Sequence, residues 1–189
     1  MPQEIEIKLK TAHEPIREKL KSLRAHYAGT VRETNIFFDR QSELRKKDSG
    51  LRVRLARNHE KPNDLPQALL TFKGPAATTG LRSREAFDLN ITPHDQLIPL
   101  LKALGYDQIL LFEKDRESWE LDGCKIELDT MPVFGTFIEI EGPDEKTVQA
   151  VQAELNLANV SPEHASYSKM VSQHLSKQGQ TELRLSPRQ

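Results

Sequence analysis

The sequence predicts an α+β domain built mainly from antiparallel strands, on three observations. Residues 3–10 alternate strictly, with Glu4, Glu6, Lys8 and Lys10 on one face and Ile5, Ile7 and Leu9 on the other. That is the period of a strand with one wet and one buried side. Asp122-Gly123 lies between two strand-like runs and is the strongest short hairpin signal in the chain. Helical spacing appears only in short stretches at the joints between strands.

After the first strand, a helix is expected from about Glu14, with Pro15 in its first turn, Ile16, Leu20 and Leu23 on one side, and Gly29 just beyond its end. Strand-like segments follow at about 30–38, 50–57, 67–73 and 83–91. Gly50, Lys61-Pro62-Asn63-Asp64 and the stretch from Gly74-Pro75 to Gly80 separate them. Thr92-Pro93 and Gly105 enclose a second helix carrying Leu97, Leu100, Leu101 and Leu104. Strands at about 109–121 and 124–130 form the hairpin, and another at about 136–142 leads to a helix capped by Asp144, with Val148, Val151 and Leu155 inward. A last helix is expected from Ser161-Pro162, with Tyr167, Val171 and Leu175 along one side. The count is about eight strands in one domain over residues 1–177, followed by a frayed polar tail over 178–189.

Composition narrows the function. Lys and Arg total 27 against 28 Asp and Glu, so a generally basic surface for long nucleic acid is not expected. The longest apolar run, Ile109-Leu110-Leu111-Phe112, is far too short to span a bilayer. No basic segment followed by an apolar core and a cleavage site opens the chain, so a cytoplasmic protein is the expectation. Cys124 is the single cysteine, which rules out an internal disulfide and any multi-cysteine metal site. The six histidines lack mutual ligand spacing, and there is no glycine-rich phosphate loop.

The charges within the strands are arranged unusually. Arg52 and Arg54 alternate with Leu51, Val53 and Leu55; Thr71 and Lys73 alternate with Leu70 and Phe72; Lys114 and Arg116 share a face. Glu127 and Asp129 alternate with Ile126 and Leu128, and Glu139 and Glu141 with Ile138 and Ile140. A sheet with one solvated face would also alternate. Here, however, carboxylates gather on the first and last strands and cations on the middle ones, whereas a face built for solubility mixes signs within each strand. Paired carboxylates at i, i+2 on a strand can share a hard cation such as Mg²⁺ or Mn²⁺. Arg and Lys can clamp phosphate oxygens. A metal-bound polyphosphate satisfies both sets.

In this order the residues resemble the CYTH family, or triphosphate tunnel metalloenzymes, which includes class IV adenylyl cyclases, thiamine triphosphatases and inorganic tripolyphosphatases. The resemblance begins with the E-x-E-x-K strand (Glu4, Glu6, Lys8) and continues through Asn35-Ile36-Phe37-Phe38-Asp39, Leu51-Arg52-Val53-Arg54, Thr71-Phe72-Lys73-Gly74-Pro75, Ser83-Arg84-Glu85 and Glu113-Lys114-Asp115-Arg116. It ends with Ile126-Glu127-Leu128-Asp129, the stretch from Phe134 to Gly142, and Ser166-Tyr167-Ser168-Lys169, covering about residues 3–175. It implies a closed eight-stranded antiparallel β-barrel, a tunnel with peripheral helices and charged residues pointing inward. It implies metal ligands at Glu4, Glu6, Glu139 and Glu141, with Glu127 or Asp129 adding a further carboxylate; the choice between these two stays open. It implies phosphate-binding cations at Lys8, Arg52, Arg54, Lys73, Arg116 and Lys169, with Lys8, Lys73 and Arg116 closest to the chemistry. Arg84 and Glu85 align ambiguously, because alternation puts them on opposite faces unless a bulge intervenes. Lys114, like Lys10, reads either as a site cation or as a solvated or salt-bridged strand residue.

Trp119 is expected to pack against a helix, and Tyr167 to sit in a core or lid. Three functions follow from the resemblance: a Mg²⁺- or Mn²⁺-dependent triphosphatase, a class IV adenylyl cyclase, and a non-catalytic polyphosphate or nucleotide binder. The partner is a small-molecule triphosphate with no membrane. The sequence does not fix an oligomeric state, and a homodimer is the reasonable expectation for such barrels.

Overall fold

A computed structural model describes residues 5–61, 63–76, 84–92 and 95–186. The strands are β1 (Ile5–Lys10), β2 (His26–Asp39), β3 (Gly50–Asn58), β4 (Gln67–Ala76), β5 (Arg84–Ile91), β6 (Asp107–Leu121), β7 (Cys124–Met131), β8 (Gly135–Gly142) and β9 (Glu182–Leu183). The helices are α1 (His13–Ser22), α2 (Glu43–Lys46), α3 (Leu97–Ala103), α4 (Glu145–Glu154) and α5 (Tyr167–Ser176). The strand order is β1-β8-β7-β6-β2-β3-β4-β5, with β9 added alongside β6. This is the antiparallel, strand-rich α+β fold that the alternation predicts. The path has β1 and β5 at its ends, so among the described residues no pairing closes the sheet into a barrel. No described helix is long and apolar enough to cross a membrane, which says nothing about crossing by strands.

The chain divides into two compact units, Met1–Val31 with Lys114–Ala165, and Arg32–Glu113 with Ser166–Gln189. In the first, β1, β8, β7 and β6 form an antiparallel sheet. Its apolar face buries Leu9, Ile126, Leu128, Ile138 and Ile140 against Ile16 and Leu20 of α1 and Val148, Val151 and Leu155 of α4. Trp119 belongs to this core together with α1, in keeping with its expected packing against a helix. Asp122 and Gly123 both take positive φ, 48° and 76°, as a two-residue hairpin turn with strand-matched twist requires. Asp144 caps α4, its Oδ1 accepting from the Thr147 amide at 2.8 Å.

In the second unit, β3, β4 and β5 pair antiparallel, with a register irregularity in β4 between Lys73 and Ala76. Ile36, Phe38, Val53, Leu97, Leu101 and Leu111 form its core, so α3 lies on the apolar face of this sheet.

Four boundaries differ from expectation. β2 starts at His26, because α1 already ends at Ser22, and Gly29 sits inside the strand at φ 124° rather than in a helix cap. The helix expected from Thr92-Pro93 starts only at Leu97. The helix expected from Ser161-Pro162 starts at Tyr167, capped by Ser166. The intervening chain is held instead to β1, through a Leu9–Pro162 bridge and a Glu163 N–H donated to the Lys8 carbonyl at 2.7 Å. Within the segment expected to be a frayed tail, β9 pairs parallel with Leu111 and Phe112, and Arg184 reaches Glu113 at 3.3 Å. Two paired residues are too few to leave a periodic signal.

Candidate functional site

The polar face of the first unit is ordered in rows across its four strands. Register aligns Glu6, Glu141, Lys125 and Glu120 in one row and Lys8, Glu139, Glu127 and Ser118 in the next. The third row holds Lys10, Phe137, Asp129 and Arg116. Alternation along each strand puts these side chains opposite the apolar core. Glu127 and Glu139 face each other directly, a like-charge pair that repels unless cations flank it.

Those cations are present. Arg116 is a hub: its Nε and Nη2 donate to Asp129 Oδ1 and Oδ2 at 2.7 and 2.6 Å. The same Nη2 donates to Glu139 Oε2 at 2.6 Å, and Nε lies 3.5 Å from Glu127 Oε2. Lys114 Nζ donates to Asp129 Oδ2 at 3.0 Å. Lys8 Nζ lies 4.0 Å from Glu139 Oε1. Asp129 is fully buried, and Glu127, Lys114, Arg116 and Lys8 are nearly so. Burial pushes the Lys8 ammonium below the ordinary lysine value, against the pull of Glu139, Glu6 and Glu163.

Glu127 is held differently from Asp129. Its Oε2 accepts from the Ser118 hydroxyl at 2.6 Å. Its buried Oε1 has no aligned hydrogen-bond donor, although the half-exposed Lys125 ammonium is 2.6 Å away. A buried carboxylate oxygen of this kind, opposite a second carboxylate, suits a hard divalent cation by its donor chemistry. Among the described residues no three His, Cys, Asp or Glu side chains are assembled as a ready-made metal cage. The carboxylates are occupied by Arg116, Lys114, Lys8 and Lys125, so an ion would enter by exchange with these cations.

The second unit carries a charged set of its own. Arg54 Nη1 pairs with Glu33 Oε1 at 3.0 Å, and Asn35 Nδ2 lies 3.4 Å from the other Glu33 oxygen. Arg52 Nη2 reaches Thr71 Oγ1 at 3.4 Å, and that hydroxyl donates to Asp88 Oδ1 at 2.5 Å. Glu33, Asn35 and Thr71 are buried.

Of the residues expected in the site, Lys8, Lys114, Arg116, Glu127, Asp129 and Glu139 come together in the first unit, with Glu141 in the adjoining row. Glu6 stands in that row too but is exposed. Arg52 and Arg54 lie on one face of β3 in the second unit. Lys73 is half-buried on β4, opposite Gly50 and Ala86. Lys169 is exposed in the first turn of α5, and Glu85 is exposed on β5. Glu4 and the side chain of Arg84 lie outside the described residues. Sequence reasoning misses Glu33, Asp88, Ser118 and Lys125. The strand spacing of Glu33 and Asn35 is a usable signal for the first. The other three become visible only once register aligns them with their partners.

Comparison with other proteins identifies the family and the fold. The CYTH domain model matches residues 2–167. A protein of Methanocaldococcus jannaschii named "putative adenylate cyclase" is 24% identical over 140 residues, 73% of this chain and 75% of that protein. Among solved structures, the PH1819 protein of Pyrococcus horikoshii is 26% identical with a TM-score of 0.75, covering 90% of this chain and 99% of that one. A Hippeastrum protein described as a "putative adenylyl cyclase" with a dominant triphosphatase activity shares the fold at 20% identity and a TM-score of 0.66, over 99% and 98% of the two chains. The family match spans most of the sequence, and the chain belongs to the CYTH domain family.

Proposed function

We propose that the protein is a metal-dependent triphosphatase that hydrolyses a phosphoanhydride of a small triphosphate, such as tripolyphosphate, thiamine triphosphate or a nucleoside triphosphate. The observation that carries this reading is the buried set of Lys8, Lys114 and Arg116, held on one sheet face by Glu127, Asp129 and Glu139. Burying so many charges is costly and offers stability little that an apolar face would not. A polyanion with its counter-cation gives the arrangement a use. The reading carries with it the closed eight-stranded tunnel of the family and a Mg²⁺ or Mn²⁺ ion held by Glu127 and Glu139, with Glu4, Glu6 and Glu141 as further candidates.

In hydrolysis a water oxygen bonds to the terminal phosphorus, the bridging P–O bond breaks with its electron pair on the leaving diphosphate group, and a water proton is released to solvent. A bound divalent ion would neutralise phosphate charge and polarise the phosphoryl oxygens. The chain's own residues do the rest. Arg116 offers a planar fork to phosphate oxygens, and Lys8 and Lys114 act as point charges that stabilise charge on the transferring and leaving groups. Arg52, Arg54 and Lys73 are assigned phosphate contacts on the same chemistry, and Lys169, exposed on α5, is the weakest member of that assignment.

The second reading is an adenylyl cyclase, supported by the name of the M. jannaschii relative. There the ribose 3′-hydroxyl oxygen of ATP bonds to the α-phosphorus and pyrophosphate leaves. One experiment separates the readings: incubation of the protein with tripolyphosphate, thiamine triphosphate and ATP under Mg²⁺ and under Mn²⁺, with products resolved. Orthophosphate release supports the triphosphatase. Cyclic AMP with pyrophosphate, and no orthophosphate, replaces it with the cyclase. Turnover of nothing leaves a binding protein.

A further inference from the structure

Glu127 and Asp129 stand two residues apart on one face of β7, and the sequence treats them alike. Their surroundings do not. Asp129 has no exposed surface, and its two oxygens accept from three donors on two cations: Arg116 Nε at 2.7 Å, Arg116 Nη2 at 2.6 Å and Lys114 Nζ at 3.0 Å. To ligate a divalent ion it would have to release a bidentate guanidinium and an ammonium inside a dry site. Glu127 accepts from a neutral hydroxyl, Ser118, meets Arg116 Nε only at 3.5 Å, and pairs with Lys125, whose side chain is 53% exposed and can turn to solvent. One Glu127 oxygen already lacks an aligned donor. Its cross-strand neighbour Glu139 shares Arg116 with Asp129.

We infer that Asp129 is a positioning residue for the phosphate-binding cations and not a metal ligand, while the ion falls to Glu127 and Glu139. The inference rests on the metal-and-triphosphate reading of this site. Asp129 grips the Nε–Nη2 edge of Arg116, so the guanidinium stays in place when Glu139 exchanges it for a metal ion. Lys114 is held on the same carboxylate. The cations are thus set for phosphate before any ligand arrives, which is how a buried neighbour tunes a binding group without touching the ligand.

The test measures Mn²⁺ binding by electron paramagnetic resonance and, in metal-free buffer, tripolyphosphate binding by calorimetry. The proteins are the full chain, Asp129→Asn and Glu127→Gln. Asp129→Asn is expected to keep its Mn²⁺ affinity and to lose about tenfold or more in tripolyphosphate affinity, whereas Glu127→Gln loses about tenfold or more in Mn²⁺ affinity. Equal loss of Mn²⁺ affinity in the two variants overturns the inference, and so does unchanged tripolyphosphate affinity in Asp129→Asn. If Asp129→Asn does not melt cooperatively, Asp129→Asn/Lys114→Met removes anion and cation together. Retained Mn²⁺ affinity in that double variant supports the inference and its loss overturns it. A wild-type protein that binds both ligands but turns over no triphosphate sinks the enzymatic reading alone, and one that binds neither overturns both.

Discussion

In the first unit a single guanidinium, Arg116, serves three carboxylates, and all of these groups are buried or nearly so. In the second unit Arg54 answers to Glu33, with its own side chain 22% exposed, and Arg52 reaches a hydroxyl at 3.4 Å. The two units present cations on strands in the same way, yet Arg116 bridges three carboxylates while Arg54 pairs with Glu33 and keeps part of its side chain exposed. A committed cation is fixed in direction and costly to remove. A partly exposed one such as Arg54 keeps contact with solvent and can turn to a ligand at lower cost. Arg116 is accordingly read as pre-organised and Arg54 as adaptable, each within its own unit.

The sharpest way to break this contrast is Arg116→Met. It leaves Asp129, Glu127 and Glu139 crowded without their hub, and an uncompensated buried charge of this kind costs about 3–5 kcal/mol. A fall in the denaturant midpoint with unchanged slope is the expected result, together with a loss of turnover on the order of 10²–10³-fold in protein that still folds. Arg116→Lys keeps the charge without the fork and should recover stability better than activity. If Arg116→Met melts like the wild type, the hub is not a structural commitment.

Arg54→Ala should separate the two quantities. Glu33 is left buried with less compensation, but partial exposure of Arg54 discounts the pair, so a cost of about 1–2 kcal/mol is expected. Adding Glu33→Gln should restore the stability and leave turnover low, on the order of 10–10²-fold below wild type. Recovery of both together would make Arg54 a structural residue and erase the contrast. Smaller still is Thr71→Val, which removes one hydroxyl between Arg52 and Asp88. A loss of about 1 kcal/mol, with KM moving more than kcat, is the expected outcome.

Much of this contrast is legible in the amino-acid order itself. The alternation of Glu127 with Leu128, and of Arg54 with Val53, puts the charges on one face and the apolar residues on the other, because a strand's side-chain period is fixed at two. Asp122-Gly123 marks the hairpin because two successive positive φ angles exclude most other pairs. Which carboxylate each cation chooses is not legible there. Asp129 and Glu127 are equivalent by period, and only the register with Arg116 and Ser118 on β6 distinguishes them. Pro162 resembles a first helical turn, since proline suits that position, but a bridge to Leu9 keeps the chain extended and α5 waits for the Ser166 cap. Glu33 shares the strand spacing of Asn35, but its burial and its pairing with Arg54 become visible only in the structure.

The smallest expected effect concerns Lys8, whose ammonium lies 4.0 Å from Glu139. Desolvation lowers its pKa below the ordinary 10.5, with Glu139 pulling the other way. Below that depressed value Lys8 is charged in both native and unfolded chains, and the native state bears the full cost of burying the charge. Between the depressed value and 10.5 the unfolded chain binds more protons than the native one, so stability attributable to Lys8 rises with pH across that window. Lys8→Met removes the buried charge, and Glu139 keeps its 2.6 Å contact with Arg116. In metal-free buffer at neutral pH the variant should therefore melt no lower than wild type. Its advantage should shrink as pH approaches 10.5, while its triphosphate turnover is reduced at every pH. Melting curves of both proteins across the alkaline range read this difference directly. An advantage that grows with pH would mean that the native state favours the ammonium, which would place Lys8 among the committed cations beside Lys114 and Arg116.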